Sequence, residues 1–209
     1  DEETMNGKTD GKTEKSHIHC AALTPEEAYV CLVDVGTDEI LVYVADSLEL
    51  VDTVKFPEGS GPRHIVFSSK GSYAYVITES SSEVFLMAYT PEQERKLVIL
   101  GSNSTEPVGF GGAAGIRISP GERFVLASNR NADSISVFQI RENGWLRLVY
   151  NEIVPCGCPR DFQFTPDGKW VIAGLQTTDR LAVYKFNENG TMEQVSFVDE
   201  IERPTCIVF

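Results

Sequence analysis

The apolar residues of this chain fall into short runs separated by turn-forming segments. Period-two alternation marks many of these runs, as in YAYVI at 73–77 and ISVF at 135–138. Glycine, asparagine, aspartate and proline mark the breaks, as in ENG at 142–144 and again at 188–190. Runs of this kind predict β-strands joined by tight turns, and they exclude a helical solenoid. The pattern therefore predicts an all-β protein.

The strands also repeat as a larger unit. Four segments align without gaps: TPEEAYV at 24–30, SSKGSYA at 68–74, SPGERFV at 119–125 and TPDGKWV at 165–171. Successive segments are offset by 44, 51 and 46 residues. An aromatic residue and a later apolar anchor keep the same register in each unit: Tyr29, Tyr73, Phe124 and Trp170, then Ile40, Val84, Ile135 and Leu181. Four strands in a period of about 45 residues are typical of a β-propeller blade, whereas a plain antiparallel sandwich is the alternative.

The repeat divides the chain into unequal parts. We predict a polar leader or interblade loop at residues 1–15, then blades at 16–60, 61–111, 112–157 and 158–202. Residues 203–209 (RPTCIVF) match GPRHIVF at 61–67, so we expect them to form the inner strand of a further blade. An open arc of blades would expose sheet edges and a blade face. We therefore expect the ring to be closed by blades missing at the N-terminal side or by another subunit.

Two positions in each unit lie side by side at the open end of the hairpin that joins its first two strands. In the second unit they are Arg63 and Glu79. The other units hold, at the same two positions, His19 and Val35, Ala114 and Arg130, and Arg160 and Gln176. Since inner strands line the channel of a propeller, we expect these side chains to gather on one rim.

The composition of this rim predicts a site for an anion. Arginine presents a planar fork of donors that matches a carboxylate or a phosphate. Two interpretations of Glu79 stay open. It is either a base or water-positioning group, or a structural ion pair that orders the channel mouth.

Charge and composition exclude several classes of function. The chain has 18 basic and 31 acidic residues, a net charge of −13, and no run of basic residues, so we expect neither nucleic acid nor a membrane as a partner. The five cysteines are an odd number and lie mostly in apolar runs, which predicts buried free thiols. With no recognisable secretion signal, a cytoplasmic location is expected.

A metal is the remaining chemical alternative from the residues themselves. His17 and His19 alternate on a predicted strand, so both imidazoles lie on one face and could bind a metal. No carboxylate lies near them in sequence, and we therefore expect no metal.

Several motifs resemble those of the propeller lactonases. They are GPRHIVF at 61–67, Glu79 within TES at 78–80, ASNR at 127–130 with DSISVF at 133–138, and PRDF at 159–162. SHIH at 16–19 resembles the family's Ser-His-Pro-His, and PTCIVF at 204–209 is similar to its closing strand. These seven-bladed proteins include the cycloisomerase-type 6-phosphogluconolactonases and the carboxy-cis,cis-muconate lactonizing enzymes.

The resemblance implies an active site at the channel mouth that works without a cofactor. The family's functional residues carry over to His17 or His19, and to Arg63 and Glu79. A further arginine carries over to Arg130 or Arg160. We take as candidate catalytic residues His19, Arg63, Glu79, Arg130 and Arg160, and as candidate substrate-binding residues His17 and Gln176.

The activity that this resemblance implies is hydrolysis of a small anionic sugar lactone, of the 6-phosphogluconolactonase type. Two alternatives use the same residues. One is a non-catalytic propeller that binds an anionic ligand or a protein. The other is a cycloisomerase of the muconate type.

Overall fold

The computed structural model describes residues 15–106, 111–154 and 157–209, together with two short strands near the start of the chain. These two strands, β1 (Lys8–Thr9) and β2 (Lys12–Thr13), pair as a hairpin. The rest of the predicted leader up to residue 14 lies outside the described residues.

The other described strands form four antiparallel sheets in chain order. The first sheet contains β3 (Ile18–Leu23), β4 (Tyr29–Asp34), β5 (Glu39–Val44) and β6 (Leu50–Lys55). The second contains β7 (Pro62–Phe67), β8 (Tyr73–Thr78), β9 (Glu83–Tyr89) and β10 (Leu97–Ser104). The third contains β11 (Ala113–Ile118), β12 (Phe124–Asn129), β13 (Ser134–Ile140) and β14 (Leu146–Ile153). The fourth contains β15 (Pro159–Phe164), β16 (Trp170–Leu175), β17 (Arg180–Phe186) and β18 (Met192–Val198).

Each sheet is a meander whose first strand lies at one edge and whose fourth strand lies at the other. The first strands β3, β7, β11 and β15 contact one another in sequence order, so they are the inner strands of the assembly. The described residues include no α-helix, and hence no helix that is long and apolar enough to cross a membrane. The prediction of an all-β fold is confirmed.

A common turn explains the repeat that is visible in the sequence. The turn between the first two strands begins at a serine or threonine whose side-chain oxygen accepts a hydrogen bond from the backbone N–H of the aromatic residue in register. The bonds are Tyr29 to Thr24 (3.2 Å), Tyr73 to Ser68 (3.2 Å), Phe124 to Ser119 (3.1 Å) and Trp170 to Thr165 (3.2 Å). The hydroxyl satisfies a backbone donor that the turn leaves unpaired.

The core consists of three apolar layers, one between each pair of neighbouring sheets. Strand β8 shows why the period-two pattern is needed. Ala74 and Val76 pack towards the first sheet, whereas Tyr75 and Ile77 pack towards the third. Both faces of the second and third sheets are therefore buried. The first and fourth sheets pack on one face only, and they leave apolar side chains such as Leu50 and Phe197 exposed.

Aspartates tie three of the four sheets to the start of the segment that follows. Asp38 accepts the backbone N–H of Gly61 at 2.7 Å, and Asp133 accepts that of Cys158 at 2.7 Å. Asp179 accepts the N–H of Arg203 at 2.9 Å in the same way. Residues 203–209 thus leave the fourth sheet along the path by which earlier inner strands begin.

The C-terminal segment lies beside the inner strand of the fourth sheet. Asp161 of β15 accepts the backbone N–H of Ile207 at 2.9 Å and also pairs with Arg117 at 2.7 Å. Residues 203–209 pair with no strand in the part of the chain that the structure describes. Their assignment to a further blade stays a prediction, as do the predicted blade boundaries.

The cysteines differ in burial more than the sequence suggests. Cys31 is buried, Cys20 and Cys158 are half-buried, and Cys206 is exposed on the C-terminal segment; all four are free thiols. Cys156 lies outside the described residues. The expectation of buried thiols is therefore wrong for Cys206, because no strand of the described residues covers it.

Candidate active site

The inner strand of every sheet carries one β-bulge near the same end. A bulge inserts one residue into a strand and turns its side chain out of the regular alternation. The inserted residue is His19 in the first sheet, Arg63 in the second and Arg160 in the fourth. In the third sheet the bulge falls at residues 114–115. The bulges therefore occur at the rim positions of the repeat.

The residue that follows the second strand of each sheet lies beside this bulge. Its backbone N–H donates to the carbonyl of the residue two positions before the rim residue of the inner strand. The four bonds are Val35 to His17 (3.0 Å), Glu79 to Gly61 (2.6 Å), Arg130 to Gly112 (3.0 Å) and Gln176 to Cys158 (3.3 Å). One backbone arrangement thus presents a pair of side chains from each sheet.

Glu79 joins two of the predicted arginines. Its Oε2 lies 2.8 Å from Nε of Arg63, and its Oε1 lies 2.9 Å from Nη2 of Arg130. Backbone carbonyls hold the same guanidinium groups. Arg63 Nη1 donates to the carbonyl of Ala114 at 2.9 Å, and Arg130 Nε donates to that of Gly112 at 3.0 Å. Each arginine is therefore fixed at two of its nitrogens.

Burial makes this group of three charges unusual. The side chain of Arg63 is 2% exposed, that of Arg130 is 16% exposed and that of Glu79 is 32% exposed. Burial lowers the pKa of Arg63 to about 10, so the guanidinium stays charged at neutral pH. Burial would raise the pKa of Glu79, but the hydrogen bonds and charges of Arg130 and Arg63 outweigh it and hold that pKa below its usual value. Glu79 is thus an ionised bridge.

Arg160 adds a further positive charge beside this bridge. Its charge acts on Arg63 and His19, lowering the pKa of each. Among the described residues Arg160 has no hydrogen-bond or ion-pair partner. A guanidinium left in this state can take an anion from solution.

The two predicted histidines differ in their surroundings. His19 is half-buried, and its Nδ1 is buried without a hydrogen-bond partner in the described part of the chain. Burial lowers its pKa to about 4, with further lowering by Arg63, so the imidazole is neutral at neutral pH. His17 is exposed, and its ring centroid lies 6.4 Å from that of His19. His17 therefore lies at the margin of the site.

Gln176 lies on the side of Arg160. Its Oε1 is 3.9 Å from Sγ of Cys158, the residue that precedes β15. Cys158 takes a φ of 45°, whereas Gly61 takes a φ of 66° at the same position of the second unit. Cys158 thus keeps the left-handed backbone that glycine has in the second unit. It also adds a side chain that contacts Gln176, the candidate substrate-binding residue.

The described residues hold no group of three or more histidine, cysteine, aspartate or glutamate side chains that could bind a metal. His17 and His19 are the pair that the sequence singles out, and no carboxylate joins them as a ligand. The expectation that the site works without a metal or a cofactor stays a prediction.

Sequence reasoning missed one residue of the site. His64 follows Arg63, and its Nδ1 lies 2.9 Å from the carbonyl oxygen of Ala114. Its ring contacts that of His19, with centroids 4.8 Å apart and planes at 75°. The signal was present in GPRHIVF at 61–67, but alternation along a regular strand would turn neighbouring side chains to opposite faces.

The fold and the site define a β-propeller with an arginine cluster around one carboxylate at the ends of its inner strands. Residues 2–209 match the family model described as Lactonase, 7-bladed beta-propeller. The chain belongs to this family, and the predicted resemblance and propeller fold are confirmed.

Similar proteins include enzymes with lactonase names. The 6-phosphogluconolactonase of Bacillus subtilis is 35% identical over 158 residues, which cover 73% of this chain and 45% of that protein. The solved periplasmic gluconolactonase of Pseudomonas aeruginosa is 30% identical with a TM-score of 0.84, covering 91% of this chain and 56% of that one. A solved Lactobacillus plantarum protein is 32% identical with a TM-score of 0.84, covering 90% and 57%. The chain spans about half the length of the curated relatives it matches.

Proposed function

We propose that this site hydrolyses a small lactone that carries an anionic group, as in a phosphorylated sugar lactone. One observation carries the proposal. Glu79 forms ion pairs with two arginines, while Arg160 beside them has no partner among the described residues. The names of the Bacillus subtilis and Pseudomonas aeruginosa relatives support a lactonase.

The arrangement suggests a division of roles in lactone hydrolysis. Water adds to the lactone carbonyl, the ring C–O bond breaks, and an open-chain hydroxy acid results. Arg160 binds the anionic group of the substrate, and the positive charges of Arg63 and Arg130 favour the negative charge that develops on the carbonyl oxygen. Neutral His19 accepts the proton of the attacking water and returns it to the ring oxygen as the C–O bond breaks. Glu79, which raises the pKa of His19 by its charge, stabilises the imidazolium that forms.

The substrate itself would strengthen this base. Arg63 and Arg160 both lower the pKa of His19 by their charges. An anion bound between the guanidinium groups offsets those charges, so the imidazole gains proton affinity when substrate is present. This argument favours an anionic lactone over an uncharged one.

The test uses Arg160→Gln in the purified natural protein. We expect KM for a phosphorylated lactone to rise about tenfold to a hundredfold, as for the loss of a hydrogen bond to a charged group. An uncharged lactone of the same ring size should show little change. Arg180→Gln is the matched control, because Arg180 pairs with Asp199 in the fourth sheet with 46% of its side chain exposed. An equal effect on both lactones would count against the proposal.

A second candidate function has its own support. Both oxygens of Glu79 are engaged by arginines, which also suits a structural ion pair in a non-catalytic propeller that binds an anion. Binding of a phosphorylated lactone without turnover would favour that function. Muconate-type cycloisomerisation is distinguished by assaying both substrates on one preparation.

We further propose that the ring is completed by three more blades from the N-terminal side or by another subunit, and that the protein acts in the cytoplasm. The half-exposed apolar faces of the first and fourth sheets support a larger ring. The intact mass of the native protein decides between the two closures. A mass well above 23.1 kDa, near that of seven blades, supports one chain, and a mass near 23.1 kDa supports association.

A further inference from the structure

His64 occupies a half-buried position at the site, and the proposed chemistry leaves it without a role. Its Nδ1 and Arg63 Nη1 both lie 2.9 Å from the carbonyl oxygen of Ala114. A carbonyl oxygen only accepts, so Nδ1 of His64 carries the hydrogen and its Nε2 carries the lone pair. The ring orientation is therefore held by a backbone atom of the neighbouring inner strand.

The ring of His64 covers part of His19. The two centroids are 4.8 Å apart and the planes meet at 75°, which is an edge-to-face contact. The Nδ1 atom of His19 is buried and has no partner among the described residues. Nδ1 is the ring nitrogen of His19 that is closed to solvent, which leaves Nε2 as the nitrogen to meet a water molecule.

We propose that His64 is a positioning residue: its ring fixes the orientation of His19 and shields its Nδ1 edge, so that Nε2 of His19 accepts the proton from water. The assignment of a proton acceptor rests on the proposed lactone hydrolysis. The contact between the two rings does not.

Several titratable groups also act on these two rings. They are His17, Arg63, Glu79, Arg117 and Arg160. Burial is the largest influence on both imidazoles, and it lowers the pKa of His64 to about 3 and that of His19 to about 4. Nδ1 of His64 is a donor in the neutral tautomer assigned above and also in the protonated ring, so its bond to Ala114 persists where His19 titrates.

Two substitutions separate the ring of His64 from its hydrogen bond. His64→Asn keeps a donor near the position of Nδ1 and removes the ring. His64→Phe keeps the ring and removes the donor. Ile65→Val is the control, because Ile65 is the next residue of β7 and packs in the core between the first and second sheets.

The primary measurement is the titration of His19 by imidazole NMR, with its signal assigned by its loss in His19→Gln. In His64→Asn, water reaches the uncovered edge of His19, and we expect its pKa to rise by about one to two units towards 6.5. His64→Phe and Ile65→Val should leave the pKa near that of the unaltered protein. If His64→Asn does not fold, His64→Gln also lacks the ring and gives the same measurement.

The pH profile of lactone hydrolysis is the second measurement. The acid limb of kcat/KM should move with the NMR titration in His64→Asn and stay in place in His64→Phe. An unmoved His19 titration in the folded ring-deletion variant, or an equal shift in His64→Phe, would overturn the positioning role. A shift seen by NMR in protein that hydrolyses no lactone would support the ring contact and reject the proposed function.

Discussion

Glu79→Gln tests whether the carboxylate between Arg63 and Arg130 is needed for folding. If Glu79 were a base or water-positioning group and no more, this substitution would lower turnover with little change in stability. The burial of Arg63 changes that expectation, because its side chain is 2% exposed and Nε has Glu79 as its only charged partner among the described residues. A neutral amide would leave a buried cation without a counter-charge.

The magnitude follows from the exposure of each partner. Removing one member of a fully buried ion pair costs about 3–5 kcal/mol. Here the side chain of Glu79 is 32% exposed, and glutamine retains one acceptor oxygen, so we expect a loss of about 2–3 kcal/mol. The control is Glu39→Gln, since Glu39 pairs with Lys55 at 3.0 Å but the lysine is 69% exposed. That variant should lose less than about 1 kcal/mol.

Urea unfolding at several pH values measures both effects. The pKa of Glu79 is lower in the folded protein than its ordinary value, so its stabilisation is present above the unfolded pKa of about 4.3. That stabilisation is lost as the pH falls through the folded pKa. The difference in unfolding free energy between unaltered protein and Glu79→Gln should therefore shrink below about pH 4. Equal losses in Glu79→Gln and Glu39→Gln at pH 7 would refute the argument from burial.

Two further substitutions test the supports of the site. Gly115→Ala should lower the unfolding midpoint and raise KM, because an added Cβ would lie 3.2 Å from the ring of Phe162, beside the bulge of β11. A variant with both values unchanged would contradict this close packing. Asp161→Asn should lower the unfolding midpoint, because it removes the negative charge that lies 2.7 Å from Arg117. Asp167→Asn is the control and should have a smaller effect, because Asp167 is exposed. Similar midpoints in the two aspartate variants would show that burial of the first pair is unimportant.

The sequence predicts the repeat well because each unit depends on local chemistry. The serine or threonine that begins a turn bonds the N–H of the aromatic residue five positions later, as Ser68 does for Tyr73. Such short-range requirements leave the same residue types at the same spacing in every unit. The pairing of Arg63 with Glu79 was predictable for the same reason, since both lie on one hairpin.

Contacts between units are harder to predict from the sequence. The spacing places Arg130 and Glu79 on one rim, but it does not indicate that they form an ion pair, or that Ala114 offers its carbonyl to both Arg63 and His64. These contacts depend on how neighbouring inner strands are placed, which only the packed layers between sheets determine. Ala114 also contributes to the site through its backbone carbonyl oxygen, and the residue type gives no sign of that contribution.

The recurring bulge explains how a repeated fold forms a site without repeated residues. The backbone bond from the residue after the second strand is present in all four sheets, so the rim positions are set by main-chain atoms. The side chains at these positions are then free to differ, and they include a histidine, two arginines and an alanine in the inner strands.

The alanine has a physical reason at this position. Ala114 is fully buried, and its carbonyl already accepts bonds from the two neighbouring side chains Arg63 and His64. An arginine there would place another cation beside Arg63, while both oxygens of Glu79 are already engaged. Because alanine is small and uncharged, Arg130 is the group from the third sheet that meets the carboxylate of Glu79. The difference in residue type between the rim positions thus follows from charge as much as from space.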